Sequence, residues 1–191
     1  MLKSVFLDSQ PPLKPVNEIV LIFFNLAELT ALMRFLLFVA TFLLFHLNLS
    51  ANSFSIFWGS YDYDDDNTST LYGLNYHLSD NNFSVFNLIN LNPLIGGFVT
   101  AKSATMFYSG FETNIGQDSI YLNLSSSAGI YSNGDGKDLG NALQFKSEVN
   151  LFYRLGKSSR VGLGSHHISN AGLSSINPGT NNFYLIFNRD F

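Results

Sequence analysis

The chain has 191 residues, of which 13% are charged and 15% aromatic, with a net charge of -4 and a pI near 5.4. So few charges among so many aromatic residues argue against disorder and against an ordinary soluble surface. The acidic balance excludes the basic surface that binds nucleic acid. Because the chain has no cysteine, it can form neither a disulfide nor a thiolate metal site.

The first 53 residues differ in kind from the rest. From Met33 the sequence MRFLLFVATFLLFHLNLSANS gives a start-like methionine, one arginine, an apolar run and small residues ending at Ser53. This order is typical of a secretory signal peptide and predicts a signal over 33–53, cleaved near Ser53. Residues 1–32 are then best explained by a translation start assigned too early, which leaves the true start, Met1 or Met33, open.

The alternative joins VLIFFNLAELTALM (20–33) to this run as a helical hairpin or membrane anchor. Glu28 and Arg34 argue against a clean span, and an uninterrupted apolar core of about a dozen residues is short of the roughly 20 that a span needs. We therefore divide the chain into a helical N-terminal extension with its signal, 1–53, and a mature domain, 54–191.

From Phe54 onward, apolar and polar residues alternate with a period of two. In LQFKSEVNLFYRL (143–155), the apolar residues Leu143, Phe145, Val149, Leu151 and Tyr153 share one parity, with Ser147 as the small exception. The other parity holds the polar residues Gln144, Lys146, Glu148, Asn150 and Arg154. Alternating segments of about ten residues are typical of transmembrane β-barrels, whose apolar face meets lipid and whose interior is polar. Lys146, Glu148 and Arg154 are therefore predicted to line the interior.

Turn signals divide the mature region into eight strands. They are predicted near 54–62, 70–78, 94–103, 105–114, 120–131, 141–155, 159–170 and 182–191, with the Asn-rich 79–93 as a connection that could partly extend a strand. The predicted fold is all-β, an eight-stranded antiparallel transmembrane β-barrel of outer-membrane type, with both termini in the periplasm. Side chains fill the interior of such a barrel, so it is not a general pore. The alternative, a soluble lipocalin-like barrel, needs a polar exterior that the low charge content makes hard to supply.

The last strand supports export to the outer membrane of a Gram-negative bacterium. The terminal Phe191 resembles the aromatic residue that ends the assembly signal of outer-membrane proteins. Arg189 interrupts the apolar parity, and near the barrel rim a long cation can reach the lipid headgroups.

The seventh predicted strand carries the candidate active site near the outer leaflet. His167 and Ser169 share a parity with Val161 and Leu163, so they are predicted to face lipid. Two residues apart on one face, their Cα atoms lie roughly 6–7 Å apart, close enough for the side chains to hydrogen-bond. A His–Ser pair on a lipid-facing surface has no evident structural purpose, which favours a catalytic one.

The motif HISNAGL (167–173) followed by NPG (177–179) resembles the signature of the outer-membrane lipid A 3-O-deacylases, the acyloxyacyl hydrolase family. The resemblance extends through 129–145 and 94–110. It implies an eight-stranded barrel with a serine-hydrolase site on its lipid-facing surface. The substrate partner it implies is lipid A, or lipopolysaccharide, in the outer leaflet, and no cofactor or metal is required. A homodimer is left open.

The same resemblance assigns roles to individual residues. Ser169 is similar to the nucleophile, and His167 to the general base. Asn177 and the backbone N–H of Gly172 are similar to the oxyanion donors. Asn170 lies in the motif, and a role as a turn residue is equally consistent with its type.

The chain departs from the family where a glutamate should follow the NPG glycine. The text is NPGTNN, and by parity Asn181 faces outward beside His167, which makes it the candidate that orients the imidazole. An amide can hold a histidine tautomer but brings no charge to stabilise imidazolium. Two functions therefore stay open: an esterase that removes the 3-O-linked acyl chain of lipid A, or a catalytically weak or inactive structural barrel of the same family.

Two exterior loops are weaker candidates. DYDDDN (62–67) is predicted to be a solvated acidic loop, with binding of divalent cations that bridge lipopolysaccharide phosphates as the alternative. NGDGKDLG (133–140) is predicted to be a turn that places Lys137 near lipid phosphates.

Overall fold

The computed structural model describes residues 53–66, 68–78, 83–85, 89–116 and 119–191. Within these ranges there is no helix long and apolar enough to cross a membrane. The predicted N-terminal extension and signal peptide lie outside the described residues, except for Ser53, which begins the first strand.

The described residues form one antiparallel sheet that closes on itself. Its strands are β1 Ser53–Tyr61, β2 Ser69–His77, β3 Phe83–Val85, β4 Ile89–Thr100, β5 Thr105–Ile115, β6 Ile120–Ser132, β7 Leu143–Arg154, β8 Ser159–Ser169 and β9 Thr180–Asp190. The order is β2-β1-β9-β8-β7-β6-β5-β4-β3, and β2 also pairs with β4. That last pairing closes a ring of eight strands, so the predicted eight-stranded antiparallel barrel is confirmed.

The region 79–93, predicted as a connection that could partly extend a strand, contains more strand than connection in its described part. Its described part contains β3, and β4 begins at Ile89 instead of residue 94. Pro93 lies between the segment of β4 that pairs with β3 and the segment that pairs with β2. A proline is tolerated at such a break in a ladder because it has no N–H to donate. Because proline and asparagine are uncommon inside strands, the composition of this region does not predict one.

The alternation predicted along β7 is confirmed residue by residue. Phe145, Val149 and Leu151 are exposed on the outside, while Lys146 and Glu148 are buried inside. The same alternation gives the barrel an apolar outer surface. Its exposed large apolar side chains include Ile56, Trp58, Ile95, Phe107, Phe111, Leu122, Leu124, Ile130, Leu143, Tyr153, Leu163, Phe183 and Leu185. An outer belt of this kind is what a strand barrel needs to lie in lipid.

Hydrogen bonds and ion pairs join several of the polar side chains inside the barrel. His77 Nδ1 lies 2.7 Å from Glu112 Oε1, and Asn123 donates to the other oxygen of that carboxylate at 3.0 Å. Lys146, which is fully buried, forms an ion pair with Glu148. Arg154, which is exposed, lines a polar cavity of about 280 Å³ at the end of the barrel where β1 begins and β9 ends. The predicted interior positions of Lys146 and Glu148 are therefore confirmed, whereas Arg154 lies at the rim, on the lining of this cavity.

Closure of the barrel decides which loops become neighbours. The loops after β1, β4, β6 and β8 lie at one end, because successive strands run in opposite directions. β1 pairs with β9 over Ser53–Ser60 and Phe183–Asp190. The loop after β1 therefore lies beside the start of β9 and the end of β8, where the candidate site is found.

Candidate functional site

The end of β8 presents the two predicted catalytic side chains on the outer face. His167 is exposed and Ser169 is half-buried. His166, which precedes His167, and Ile168, which lies between the two, are buried in the interior. The outward orientation predicted from parity is thus confirmed for both His167 and Ser169. Period-two geometry is sufficient to place them because the strand is regular through Ser169.

His167 lies directly opposite Asn181 in the β8–β9 ladder. The imidazole Nδ1 is 2.8 Å from the Asn181 amide Oδ1. β9 begins at Thr180, two residues earlier than predicted, which makes Asn181 part of the sheet. The structure therefore brings together the imidazole and the side chain predicted to orient it.

A carboxylate that sequence reasoning missed lies behind Asn181. Asn181 Nδ2 donates to Asp64 Oδ2 at 2.7 Å, and the backbone N–H of Tyr63 donates to the Asn181 carbonyl at 3.1 Å. Asp64 belongs to the acidic loop after β1, which was predicted to be solvated, with binding of divalent cations as the alternative. The carboxylates of DYDDDN are visible in the sequence, but the contact with Asn181 could not be predicted without the pairing of β1 with β9.

The acidic loop is held by a lysine from the loop after β6. Lys137 Nζ lies 3.0 Å from Asp62 Oδ2 and 2.7 Å from Asp65 Oδ2, and the lysine side chain is only 13% exposed. Its partial burial lowers the pKa of Lys137, but the hydrogen bonds and charges of Asp65 and Asp62 outweigh that and raise the pKa above its ordinary value. The same ammonium group was predicted to lie near lipid phosphates, and that stays a prediction; its observed partners are these two carboxylates.

Ser169 follows His167 by two residues on the outer face of β8. It pairs with Phe145 of β7. Among the hydrogen bonds of the described residues, none joins Ser169 Oγ to His167. Catalytic hydrogen bonds are often long in an unliganded site and tighten when the substrate is bound. The arrangement leaves the Nε2 edge of the imidazole as the side available to the hydroxyl.

Gly179, the glycine of NPG, gives the imidazole its space. Its φ is +64°, and a Cβ added there would lie 2.9 Å from His167 Cε1 and 3.3 Å from Nε2. Any side chain at this position would press on the ring as well as strain the backbone. The NPG motif alone predicts no contact between Gly179 and His167, which only the structure reveals.

The predicted oxyanion donors lie in the loop after β8, which is organised around Asn170. The buried Asn170 side chain donates to the Ile176 carbonyl at 2.7 Å, and its Oδ1 accepts the Gly172 N–H at 2.9 Å. The Asn170 N–H donates to Asn177 Oδ1 at 2.9 Å. These bonds favour the turn-shaping role for Asn170. Within this described loop the Gly172 N–H donates to Asn170 Oδ1, whereas Asn177 Nδ2 donates no hydrogen bond and is available to an oxyanion.

Apolar side chains surround the site on the outer surface. Leu173 and Ile176 of the same loop are 55% and 57% exposed, and Phe145 beside Ser169 is 38% exposed. A hydrocarbon chain could lie against these side chains with its polar end at the Ser169 hydroxyl. The site thus combines a potential nucleophile and base with an apolar approach from the membrane side.

Comparison with known proteins gives three results that agree with this geometry. A family model described as Lipid A 3-O-deacylase (PagL) matches residues 49–189. The lipid A deacylase PagL of Bordetella bronchiseptica strain RB50 is 32% identical over 74 residues, which are 38% of this chain and 42% of that protein. The match thus spans less than half the length of that relative.

The third result is a solved structure, described as the crystal structure of the outer membrane enzyme PagL. It superposes with a TM-score of 0.58 at 19% identity and covers 73% of this chain and 99% of that chain. At this identity the likeness shows the fold.

Proposed function

Because the chain belongs to the lipid A 3-O-deacylase (PagL) family, we propose that it is an outer-membrane esterase that hydrolyses the 3-O-linked acyl chain of lipid A. The observation that carries this proposal is the outward-facing His167, hydrogen-bonded at Nδ1 to Asn181 and followed on the same face by Ser169. This face is the apolar one, so the scissile ester would be reached from within the membrane plane.

The reaction divides between Ser169 and His167. The Ser169 Oγ attacks the carbonyl carbon of the ester, and its proton passes to His167 Nε2. The carbon–oxygen bond to the sugar then breaks, and the alcohol leaves with that proton. Water attacks the acyl-serine in the same way, which releases the fatty acid and restores the serine hydroxyl.

Asn181 prepares the histidine for this role. An imidazole that donates from Nδ1 to the amide Oδ1 carries no proton on Nε2, so that nitrogen can accept the serine proton. Gly179 leaves the ring in this position because it has no side chain. The amide carries no charge of its own, so by itself it stabilises imidazolium less than a carboxylate would.

Oxyanion stabilisation falls first to the Asn177 side chain. Its Nδ2 is free while its Oδ1 is held by the Asn170 N–H, so the donor is oriented before the substrate arrives. The Gly172 N–H is the second donor and would have to be shared with, or released from, Asn170 Oδ1. The exposed Leu173 and Ile176 would contact the acyl chain.

The test is mass spectrometry of lipid A from a Gram-negative host that lacks this activity. Expression of the chain should remove one 3-O-linked acyl group, and the Ser169→Ala variant should leave lipid A unmodified. The absence of a carboxylate at position 181 favours a second candidate, a structural barrel without catalysis. Unmodified lipid A in cells that hold the folded, membrane-inserted protein would establish that second candidate.

A further inference from the structure

We infer that Asp64 is the positioning acid of this site, acting on His167 through the side chain of Asn181. This inference rests on the proposed function for its catalytic consequence, although the proton arrangement it describes can be observed without activity. Three side chains form a continuous chain: His167 Nδ1 to Asn181 Oδ1 at 2.8 Å, and Asn181 Nδ2 to Asp64 Oδ2 at 2.7 Å.

The carboxylate fixes which way the amide faces. An ionised carboxylate only accepts hydrogen bonds, so Asn181 must direct its NH₂ group toward Asp64. The amide oxygen then faces His167, and because that oxygen also only accepts, Nδ1 must carry the imidazole proton. Nε2 is left unprotonated on the side of Ser169, which is the tautomer a general base requires.

Without Asp64 nothing in this chain of contacts would prevent the amide from rotating by half a turn. Asn181 would then donate from Nδ2 to an unprotonated Nδ1, and the proton would lie on Nε2. That tautomer cannot accept the serine proton. Asp64 also supplies negative charge near the imidazole, which strengthens the hydrogen bonds of the relay when imidazolium forms.

Asp64 is exposed, but its backbone is held against the sheet. The N–H of Tyr63 donates to the Asn181 carbonyl at 3.1 Å, and the N–H of Asp62 donates to Asn182 Oδ1 at 2.8 Å. On the far side of the loop, Asp65 pairs with Lys137. These contacts fix the segment on both sides of Asp64, so its carboxylate need not be ordered by the substrate.

Kinetics of the purified full-length protein on lipid A in mixed micelles test the catalytic consequence. Asp64→Ala should lower kcat about 10-fold or more, the effect of losing one charge-assisted hydrogen bond, with KM unchanged because Asp64 does not touch the substrate. Asp64→Asn, whose side-chain oxygen can still accept from Asn181, should lose less. Asp66→Asn is the matched control and should retain the kcat of the parent, because it removes the same charge from the same loop without contacting Asn181.

A double-mutant cycle separates positioning from structure. In Asn181→Glu the new carboxylate can accept from Nδ1 directly, and it faces Asp64 as a like charge. Adding Asp64→Ala to that variant should therefore leave kcat unchanged or raise it. An equal loss of kcat in both backgrounds would show that Asp64 acts by some route other than residue 181, and would overturn the inference.

Nitrogen NMR of protein labelled at histidine tests the proton arrangement without any substrate. The signals of His167, assigned with a His167→Gln variant, should show the Nδ1–H tautomer in the parent and gain Nε2–H character in Asp64→Ala. If the parent shows no deacylase activity, the proposed function fails while this measurement still decides the role of Asp64. An identical His167 tautomer in the parent and in Asp64→Ala would overturn the inference whether or not the enzyme is active.

Discussion

His167 and Asn181 face each other across β8 and β9 on the outer surface of the barrel, with the imidazole Nδ1 2.8 Å from the amide Oδ1. With Nδ1 held in this way, Nε2 is the nitrogen left for Ser169, which follows His167 on the same face of β8. The pair is built by sheet register, so its geometry depends on strands and not on a mobile loop. A site with this foundation should respond sharply to changes that displace the ring.

Replacement of Gly179 by alanine should impair catalysis more than folding. The added Cβ would lie 2.9 Å from His167 Cε1, and the φ of +64° would strain the backbone. We expect kcat to fall about 10-fold, because displacement of a general base by a fraction of an ångström is costly. The loss of folding free energy should be about 1 kcal/mol.

Gly116→Ala is the control for backbone strain introduced at a positive φ far from the site. Gly116 also has a positive φ, +108°, lies at the opposite rim and gives an added Cβ only ordinary contacts at 3.4 Å. Its kcat should equal that of the parent. Equal kcat for Gly179→Ala and the parent would show that the ring does not need this space.

The buried ion pair inside the barrel should control stability without affecting the site. Glu148→Ala leaves the fully buried Lys146 ammonium without its partner, which should cost about 3–5 kcal/mol. Removing both charges, in Lys146→Met with Glu148→Leu, should recover much of that loss. Urea unfolding in micelles, followed by the fluorescence of the single Trp58, measures both. Equal destabilisation by the single and double variants would contradict an energetic coupling of the two charges.

Lys137 should stabilise the acidic loop in a pH-dependent way. Folding raises the pKa of Lys137 because of Asp65 and Asp62, so its stabilisation is complete below the unfolded value of about 10.4 and is lost as the pH rises through the folded value. The difference in unfolding free energy between the parent and Lys137→Met should therefore be constant near neutral pH and shrink above pH 10.4. A difference that stays constant through strongly alkaline pH would contradict this assignment.

The period-two alternation of the sequence was sufficient to orient His167, Ser169 and Asn181, but it could not predict the contact with Asp64. His167, Ser169 and Asn181 were placed outward by counting residues along strands, because alternation in a regular strand is a local property. Asp64 lies 117 positions from Asn181, and the two meet only because β1 closes the barrel against β9. Parity contains no information about such a contact.

Two further features of the structure could not be predicted, for related reasons. The extension of β4 back to Ile89 was left only as an alternative, because asparagines and Pro93 are uncommon inside strands. The ladder partners of β4 also change along its length. The carboxylate partners of Lys137 could not be predicted, because they lie in the loop after β1, far from Lys137 in the sequence.

Activity-dependent labelling of the serine tests the central claim, that Ser169 is a nucleophile activated by His167. The folded protein in micelles would be treated with a long-chain fluorophosphonate, digested and mapped by mass spectrometry. We expect a single modified residue, Ser169, with labelling lost in Ser169→Ala and strongly reduced in His167→Gln. Labelling of a different residue, or labelling of Ser169 at the same rate in His167→Gln, would contradict the assignment.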